Sequence, residues 1–319
     1  MESKNRNILI VLAFVVVVLC LCAVAVVVLV AGSLFVTRTE TSGVAIVAGQ
    51  ARTEQTFDVG AAPNLRIDNF AGSVTVRAGD QGQIRLVATR RASRAADLAR
   101  IQVAVSERDG GLVVETTKPF GLSNASVQIE ITAPADTYLD LHTGSGSVDV
   151  AGIHGGAVVD TGSGSVTARD LRGTVELHTG SGSVEVRDTD GGLQVDSGSG
   201  SLALLGVLGD IDAFTGSGSI DVRGARGAVH LDTGSGSLDF DGIPQGGCRF
   251  ETGTGSIVLH LPADLDADVE LETGSGTVSL QFPVDGTVSR SRVEGIIGGG
   301  QQVSIYAHTG TGNIDVVTR

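Results

Sequence analysis

The sequence predicts an all-β fold: a single-stranded parallel β-solenoid with about 18 residues per coil, preceded by one N-terminal transmembrane helix. Three observations lead to this prediction. A Thr-Gly-Ser-Gly-Ser core recurs along the C-terminal two-thirds of the chain at a nearly constant period. Apolar residues alternate with polar ones on both sides of that core. A long uncharged segment lies close to the N-terminus.

The period is measured between the first glycines of successive core motifs. The spacing is 18 residues five times, and then 19, 21 and 36 residues. We interpret the last spacing as two periods, in which the stretch near Asp285 to Arg292 fills a coil that lost its motif. Glycine suits such turns because it adopts positive φ and allows a sharp change of direction. The predicted turn glycines are Gly144, Gly162, Gly180, Gly198, Gly216, Gly234, Gly253, Gly274 and Gly310.

Two short runs in each period alternate apolar and polar residues. Leu139 and Leu141 precede the first turn, and Val148 and Val150 follow it with Asp149 between them. A period of two indicates strands with one buried face. Two such strands per coil predict a two-sided solenoid with aliphatic inward ladders, since the chain has no Trp and few aromatic residues. Propeller blades need about 40 residues per repeat, and calcium-binding nonapeptides need a regular Asp, whereas the Asp149 column is variable.

The uncharged segment is predicted to be a membrane anchor. Ile8 to Ala31 contains no charge, and its 24 residues would form a helix of about 36 Å, enough to span a bilayer core of roughly 30 Å. Lys4 and Arg6 favour a cytoplasmic N-terminus. A cleaved signal peptide is less favoured because the segment is long and lacks a clean exit site. We therefore expect a single-pass cell-membrane protein with an extracytoplasmic C-terminal domain.

The predicted organisation has five parts. They are a short cytoplasmic N-terminus (1–7), a transmembrane signal-anchor (8–31), a linker (32–62), irregular first coils that cap the array (63–136) and the regular solenoid (137–319). Ser93 to Arg100 is predicted to contain one or two helical turns with Ser93 as the N-cap.

Charge and cysteine content narrow the classes of function. The net charge is −14, and Tyr138 to Arg319 alone carries 24 acids and nine arginines, a net of −15. Such a surface repels nucleic acid and anionic lipid headgroups, so no nucleic-acid partner is expected. Cys248 stands alone outside the uncharged segment, which excludes an intramolecular disulfide framework in the solenoid. We interpret it as a small buried hydrophobic residue.

Two groups of outward residues resemble metal ligands. His142, Asp160, His178 and Asp196 alternate at ladder spacing, and imidazole with carboxylate suits zinc. The favoured interpretation is instead charge alternation along a solvated ladder. A second row consists of Asp266, Asp268, Glu270 and Glu272, which suit Ca²⁺ but more simply form a wet face.

No catalytic residue and no cofactor site are predicted. The recurring serines offer no unique nucleophile with its own base and orienting acid. Gly-Ser-Gly-Ser resembles a phosphate-binding loop, but such loops precede a helix and here strands flank both sides. An enzyme of the polysaccharide-lyase type stays an alternative by analogy of fold alone. It would require acids and arginines on one face, such as Arg169, Arg187, Glu185 and Arg223.

The chain resembles a large bacterial family named putative adhesin, a domain of unknown function with a β-strand repeat. Three features carry the resemblance: the opening Asn69-Phe70-Ala71-Gly72-Ser73-Val74, the serial Thr-Gly-Ser-Gly-Ser-Val units, and the close from Gly295 to Val316. Together they cover about Asn64 to Arg319. The resemblance implies a right-handed β-helix-like fold at the cell envelope and brings no catalytic residues.

These observations predict a membrane-anchored extracytoplasmic β-solenoid that acts as a non-enzymatic, adhesin-like interaction or scaffold protein. Its expected partners are the membrane, through the N-terminal helix, and an envelope or surface protein or polysaccharide. An envelope-stress sensing or regulatory protein is the second alternative, beside the lyase.

Overall fold

The computed structural model describes residues 39–47, 49–108, 110–299 and 302–319. The chain divides into residues 1–40 and a compact unit of residues 41–319, and the fold below is that of the second unit. Segments 1–7 and 8–31, where a cytoplasmic N-terminus and a transmembrane helix are predicted, lie outside the described residues. Within the described residues, no helix has the length and apolar character needed to cross a membrane.

The regular secondary structure of the described residues is almost entirely strand, as predicted, with one short 3₁₀ helix at Ala95–Arg100. That helix begins one residue later than predicted, because Arg94 rather than Ser93 is its N-cap residue. The strands are β1 Thr39–Val47, β2 Gln50–Asp58, β3 Asn64–Asn69, β4 Val74–Gly79, β5 Gln83–Arg91, β6 Gln102–Arg108, β7 Gly111–Thr117, β8 Ser126–Pro134, β9 Tyr138–Thr143, β10 Val148–Ala151, β11 Ala157–Thr161, β12 Val166–Arg172, β13 Val175–Thr179, β14 Val184–Asp190, β15 Leu193–Ser197, β16 Leu202–Leu208, β17 Ile211–Ser217, β18 Ile220–Ser235, β19 Leu238–Thr254, β20 Ile257–Leu261, β21 Ala267–Ser275, β22 Val278–Leu280, β23 Val284–Val288, β24 Arg292–Ile297, β25 Val303–Thr311 and β26 Ile314–Thr318.

The regular coils stack in parallel with the predicted 18-residue register. Val148 lies beside Val166, which lies beside Val184 in the next coil. The strands that precede the turn repeat this order, with Leu141 beside Val159 and Val159 beside Leu177. The strands before the turn present one outward surface, which we call face A. The strands after it present the opposite surface, face B.

The core lies between the two strand stacks. The predicted inward residues are buried, apart from Val278 and Leu280, which are half-buried because β22 pairs only with β26. A third inward column, not predicted, follows the second strand of each coil. The chain bends there at a left-handed residue, Asp170 or Asp188 in two of the coils. This bend turns one more side chain inward in each coil, and these side chains are Ile153, Leu171, Thr189, Val207 and Ala225.

The N-terminal end of the stack does not follow chain order. Strands β3 and β4 lie between β9/β10 on one side and β7/β8 on the other. Antiparallel strands then cover the end, with β6 on β7, β5 on β8 and β2 on β5. Strand β2 falls within the range 32–62 that was predicted to be a linker, so this part of the range is a paired strand. The coils of 63–136 are irregular, and antiparallel hairpins cap them.

The C-terminal end shows the same exchange of order. Strand β25 pairs with β19 on one side and β21 on the other, and β26 lies between β20 and β22. The last coil in the sequence is therefore the last but one in the stack. The stretch near Asp285 to Arg292 does not fill a coil, because it forms the antiparallel hairpin β23–β24 against β21. The interpretation of the 36-residue spacing as two stacked periods is wrong.

The corners between strands are built by close approach of backbone to backbone. A Cβ on Gly162 would lie 2.6 Å from the Gly144 carbonyl oxygen, and one on Gly180 would lie 2.5 Å from the Gly162 carbonyl oxygen. Real Cβ atoms do not come so close to an oxygen, because the two atoms would overlap. The first glycine of each motif is thus required by the neighbouring coil, while the positive φ predicted for it belongs to the second glycine, such as Gly146.

The exchanged order at the C-terminal end predicts a specific disulfide. Glu251 lies beside His308, and His308 lies beside Glu272, so the layer of β25 separates the two acids. In a chain that carries Cys20→Ser and Cys22→Ser, the pair Glu251→Cys with His308→Cys should oxidise readily, because neighbouring Cα atoms fall within disulfide range. Mass spectrometry of the oxidised protein checks this. The control pair, Glu251→Cys with Glu272→Cys, should stay reduced, and the opposite result would favour coils stacked in chain order.

The corner geometry predicts unequal costs for two glycine substitutions. Gly180→Ala should lower the free energy of unfolding by about 1–3 kcal/mol, because the added Cβ collides with the Gly162 carbonyl. Gly192→Ala should be neutral or stabilising by about 0.4–1 kcal/mol, because a Cβ there meets nothing within 4 Å. Denaturant unfolding of both variants measures the difference. Equal effects would contradict the steric account of the corner.

Candidate functional site

The threonine of each core motif, replaced by Ser197 in one of them, lies inside the corner and joins one coil to the next. Thr179 Oγ1 donates to the Gly164 carbonyl oxygen at 3.0 Å, and Thr215 Oγ1 donates to that of Gly200 at 2.9 Å. Thr309 makes the same bond to Gly255 at 2.8 Å, across the exchanged layers. Each hydroxyl satisfies a turn carbonyl that would otherwise face the closely stacked backbone.

Thr143 is the exception among these inward threonines, because its buried Oγ1 has no hydrogen-bond partner. The equivalent acceptor is the Gly72 carbonyl, which already accepts from Asn69 Nδ2 at 3.1 Å. Asn69 takes the place of Thr in the first coil and also donates to the Val127 carbonyl at 3.0 Å. The first corner is therefore tied to the coil beyond it by an amide rather than by a hydroxyl.

The glycine corner and the outward column beside it form a groove along face A. We call it the corner groove; its floor is the first glycine of each motif and its wall is the column His142, Asp160, His178, Asp196 and Phe214. Two clefts of about 410 Å³ and about 430 Å³ meet at Asp160. From Gly144 onward the floor positions have no side chains while the column beside them carries long ones, and this difference creates the groove. Phe70 stands at the equivalent position at the first end of the groove.

The structure brings the four predicted metal candidates into one ladder but pairs them locally. His142 Nδ1 lies 3.6 Å from Asp160 Oδ2, and His142 Nε2 lies 2.9 Å from Asp140 Oδ1. His178 Nδ1 lies 3.1 Å from Asp196 Oδ2. A zinc site needs at least three protein ligands around one point. Across the described ranges, no group of three His, Cys, Asp or Glu side chains could hold a metal ion.

In the second candidate row, Asp266 to Glu272, three of the four carboxylates interact with donor groups of the protein itself. Arg292 on β24 lies 3.0 Å from Glu270 and 3.4 Å from Glu272, and it also lies 3.1 Å from Glu294. Asp266 Oδ1 accepts from the Gly299 backbone N–H at 2.7 Å. Calcium needs six to eight oxygens that converge on one point. Here the antiparallel cap brings an arginine to Glu270 and Glu272 instead.

Face B carries a network of ion pairs that begins at the first coil. Asp149 accepts from Arg77 of the preceding coil and lies 3.0 Å from Arg169 of the next one. Burial alone would raise the pKa of Asp149, but the hydrogen bond from Arg77 and the charges of Arg77 and Arg169 outweigh it. The pKa of this carboxyl is therefore held below its ordinary value.

The residues named for a lyase-like site lie on face B, where each arginine forms an ion pair with a neighbouring carboxylate. Arg169 pairs with Asp149, Arg187 with Glu185, and Arg223 with Asp221. An acidic polymer would have to displace these carboxylates to reach the guanidinium groups. The geometry supplies three neutralised pairs rather than a cationic subsite.

Cys248 is buried in the core beside Val229, as predicted, and is 3% exposed. Burial raises the pKa of its thiol to about 11, so the thiol stays protonated and unreactive at neutral pH.

Sequence reasoning missed two features of the surface. The pairing of Arg77 with Asp149 joins residues 72 positions apart, and the period did not place the first coil beside β10. It also missed Phe120, whose side chain is fully exposed. The signal for Phe120 was present, because a large apolar residue stands between Pro119 and Gly121, where a turn is expected.

Comparison with known proteins gives one family and several structures. The family model described as Toastrack DUF4097 matches residues 63–317. A putative adhesin from Bacteroides fragilis is 15% identical with a TM-score of 0.37, and the match covers 83% of this chain and 97% of that one. A putative lipid binding protein from Parabacteroides distasonis is 12% identical with a TM-score of 0.39, covering 83% and 96%. No curated protein matches the sequence.

The threonine ladder predicts opposite outcomes for one substitution at two positions. Thr215→Val should cost about 0.5–1.5 kcal/mol of unfolding free energy, because the half-buried Gly200 carbonyl loses its side-chain donor. Thr143→Val should be neutral or stabilising, because its hydroxyl has no partner to lose. Thermal and denaturant unfolding measure both values. A cost at position 143 equal to that at 215 would contradict the ladder.

The Asp149 pair predicts a pH-dependent stability. A carboxyl whose pKa is lowered on folding stabilises the fold above its unfolded pKa, and this contribution is lost as the pH falls through the folded value. Asp149→Asn should therefore cost about 0.2–1 kcal/mol at neutral pH and nothing in strong acid. Asp315→Asn is the control, because Asp315 stands in the same column and makes no ion pair among the residues that the structure describes. A pH-independent difference between wild type and Asp149→Asn would be the contrary result.

Proposed function

This chain belongs to the Toastrack DUF4097 family, and from that premise we propose that it is a non-enzymatic, extracytoplasmic surface protein that binds a partner along its solenoid. Residues 8–31 would hold it in the membrane as a single-pass anchor. In this proposal the protein acts as an adhesin-like or scaffold protein, since the solenoid offers extended faces for contact.

The corner groove is the observation that carries this proposal. Its two clefts join at Asp160 and cross successive coils, so that equivalent groups recur along the stack about every 4.8 Å. Enzyme sites are concave and gather a few convergent polar groups at one point. A groove with recurring wall and floor positions favours an extended ligand that is held at many points.

The chemistry of the groove indicates what such a partner offers. Its wall carries the carboxylates of Asp160 and Asp196, the rings of His142 and His178, and the half-exposed ring of Phe214. Carboxylates only accept hydrogen bonds, so the partner should present N–H or O–H groups. An extended segment of a surface protein or a hydroxyl-rich envelope polysaccharide meets this requirement.

Membrane attachment is supported by the sequence rather than by the described fold. The segment 8–31 is uncharged and long enough to span a bilayer, and Lys4 and Arg6 precede it. Alkaline carbonate extraction of membranes separates an embedded chain from a peripheral one. The full chain should stay with the membrane, and a chain without 8–31 should not.

Binding through the groove is tested with paired variants of the full chain on cells. Asp196→Ala with Phe214→Ala should reduce capture of the envelope partner at least about tenfold, because truncation at a binding site removes its central contacts. Glu185→Ala with Arg187→Ala, an exposed pair on face B, is the matched control and should bind like wild type. Capture unchanged by the groove variant, or lost equally in the control, would count against the groove. Unsaturated products from an acidic polysaccharide would overturn the non-enzymatic assignment.

A further inference from the structure

The loop between β7 and β8, residues 118–125, differs from every regular corner. It occupies the place of the Gly-Ser-Gly-Ser turn in the outermost parallel coil, since β7 lies beside β3 and β8 lies beside β4. The six turns from Gly144 to Ser237 all read Gly-Ser-Gly-Ser and hold no side chain larger than serine. This loop reads Lys-Pro-Phe-Gly-Leu-Ser-Asn-Ala, and the Phe120 side chain is 106% exposed.

The base of the loop is held by contacts with the rest of the protein, whereas the Phe120 side chain at its tip is exposed to solvent. Leu122 packs against the hydrophobic core, and its N–H donates to the Pro119 carbonyl oxygen at 3.2 Å. Lys118 Nζ lies 5.1 Å from the centre of the Phe70 ring. The Phe70 backbone N–H donates to Thr116 Oγ1 at 3.0 Å. A tight turn therefore holds Phe120 out in solvent, although burial of a Phe side chain is worth roughly 1.5–3 kcal/mol.

The charge around the loop differs from that of the rest of the solenoid. Lys118 and Arg91 are both exposed, and Arg91 lies opposite Ser126, just beyond the end of the loop. Glu115 is the exposed acid before the loop, on β7. The net of −15 belongs to residues 138–319, which lie in later coils. This end of the stack is thus the one that can approach an anionic surface, where each nearby Lys or Arg contributes about 1 kcal/mol.

We propose that the loop 118–125 is a lipid-contacting finger, in which Phe120 enters the boundary between headgroups and acyl chains while Lys118 and Arg91 face the lipid phosphates. The proposal rests on the proposed membrane attachment. The chain enters the solenoid at this same end, because β2 pairs with β5 and β5 pairs with β8. An exposed aromatic with flanking basic groups is the composition that binds a bilayer interface.

The absence of Trp from the sequence makes the test specific. Phe120→Trp introduces the only indole of the full chain, which is reconstituted into vesicles of phosphatidylcholine with phosphatidylglycerol. We expect a blue-shifted emission and loss of about half of it when the lipids are brominated near the headgroup end of the chains, since interfacial side chains lie 5–10 Å deep. Val288→Trp is the control, because Val288 is exposed on β23 at the opposite end of the stack, and its emission should not be quenched.

The outcomes separate this proposal from membrane attachment itself. If the Phe120→Trp chain stays with the vesicles but its indole is quenched no more than that of Val288→Trp, the finger is overturned and the anchor stands. If the chain does not stay with the vesicles, both proposals fail. Lys118→Gln in the Phe120→Trp chain should reduce quenching on vesicles that contain phosphatidylglycerol and leave it unchanged on pure phosphatidylcholine.

Discussion

The rest of the structure depends on how closely one corner approaches the next. Parallel coils repeat at the spacing of backbone hydrogen bonds, so the corner of one coil lies directly on the corner of its neighbour. At Gly162 and Gly180 that approach leaves no room for a Cβ. The bare corner lets a threonine hydroxyl reach the neighbouring turn carbonyl, as Thr179 does. It also leaves the recess that becomes the corner groove. The close stacking of the coils, the threonine hydrogen bonds between them and the corner groove therefore all result from the absence of a side chain at the first glycine of the motif.

The features that repeat in every coil could be predicted from the sequence, whereas the features that occur only once, at the two ends of the stack, could not. The period, the inward ladders and the burial of Cys248 all follow from alternation within a coil. The order of layers does not, because one glycine corner fits another equally well. Gly310 lies against Gly253 as closely as Gly253 lies against Gly234. Alternation is likewise the same in parallel and antiparallel strands, so the caps formed by β5, β6 and β24 could not be distinguished from further coils.

The outward faces show why ladder spacing alone misleads about metal sites. Residues stacked at one position of successive coils are neighbours whatever their chemistry, so His and Asp that alternate must meet. His178 meets Asp196 as a pair, and Arg292 is supplied to the row of acids by the cap. A solenoid with many carboxylates must manage repulsion between neighbouring coils, and here histidines and arginines placed among the acids do so. The same arrangement leaves the carboxylates of Asp160 and Asp196 on the groove wall.

The exchange of layers at the C-terminal end has a consequence for the order in which the protein can be completed as it is made. Strand β21 leaves the biosynthetic machinery before β25, yet β25 lies between β19 and β21 in the finished stack. The layer of β21 and β22 can therefore pair with β24 early, but it has no native neighbour on its other side until residues 303–318 have entered the gap. Native pairing at this end is thus complete only when β25 has taken its place between β19 and β21. A chain that stops before those residues lacks this inner layer, so the backbone groups of β19 and β21 that β25 satisfies stay without their native partners.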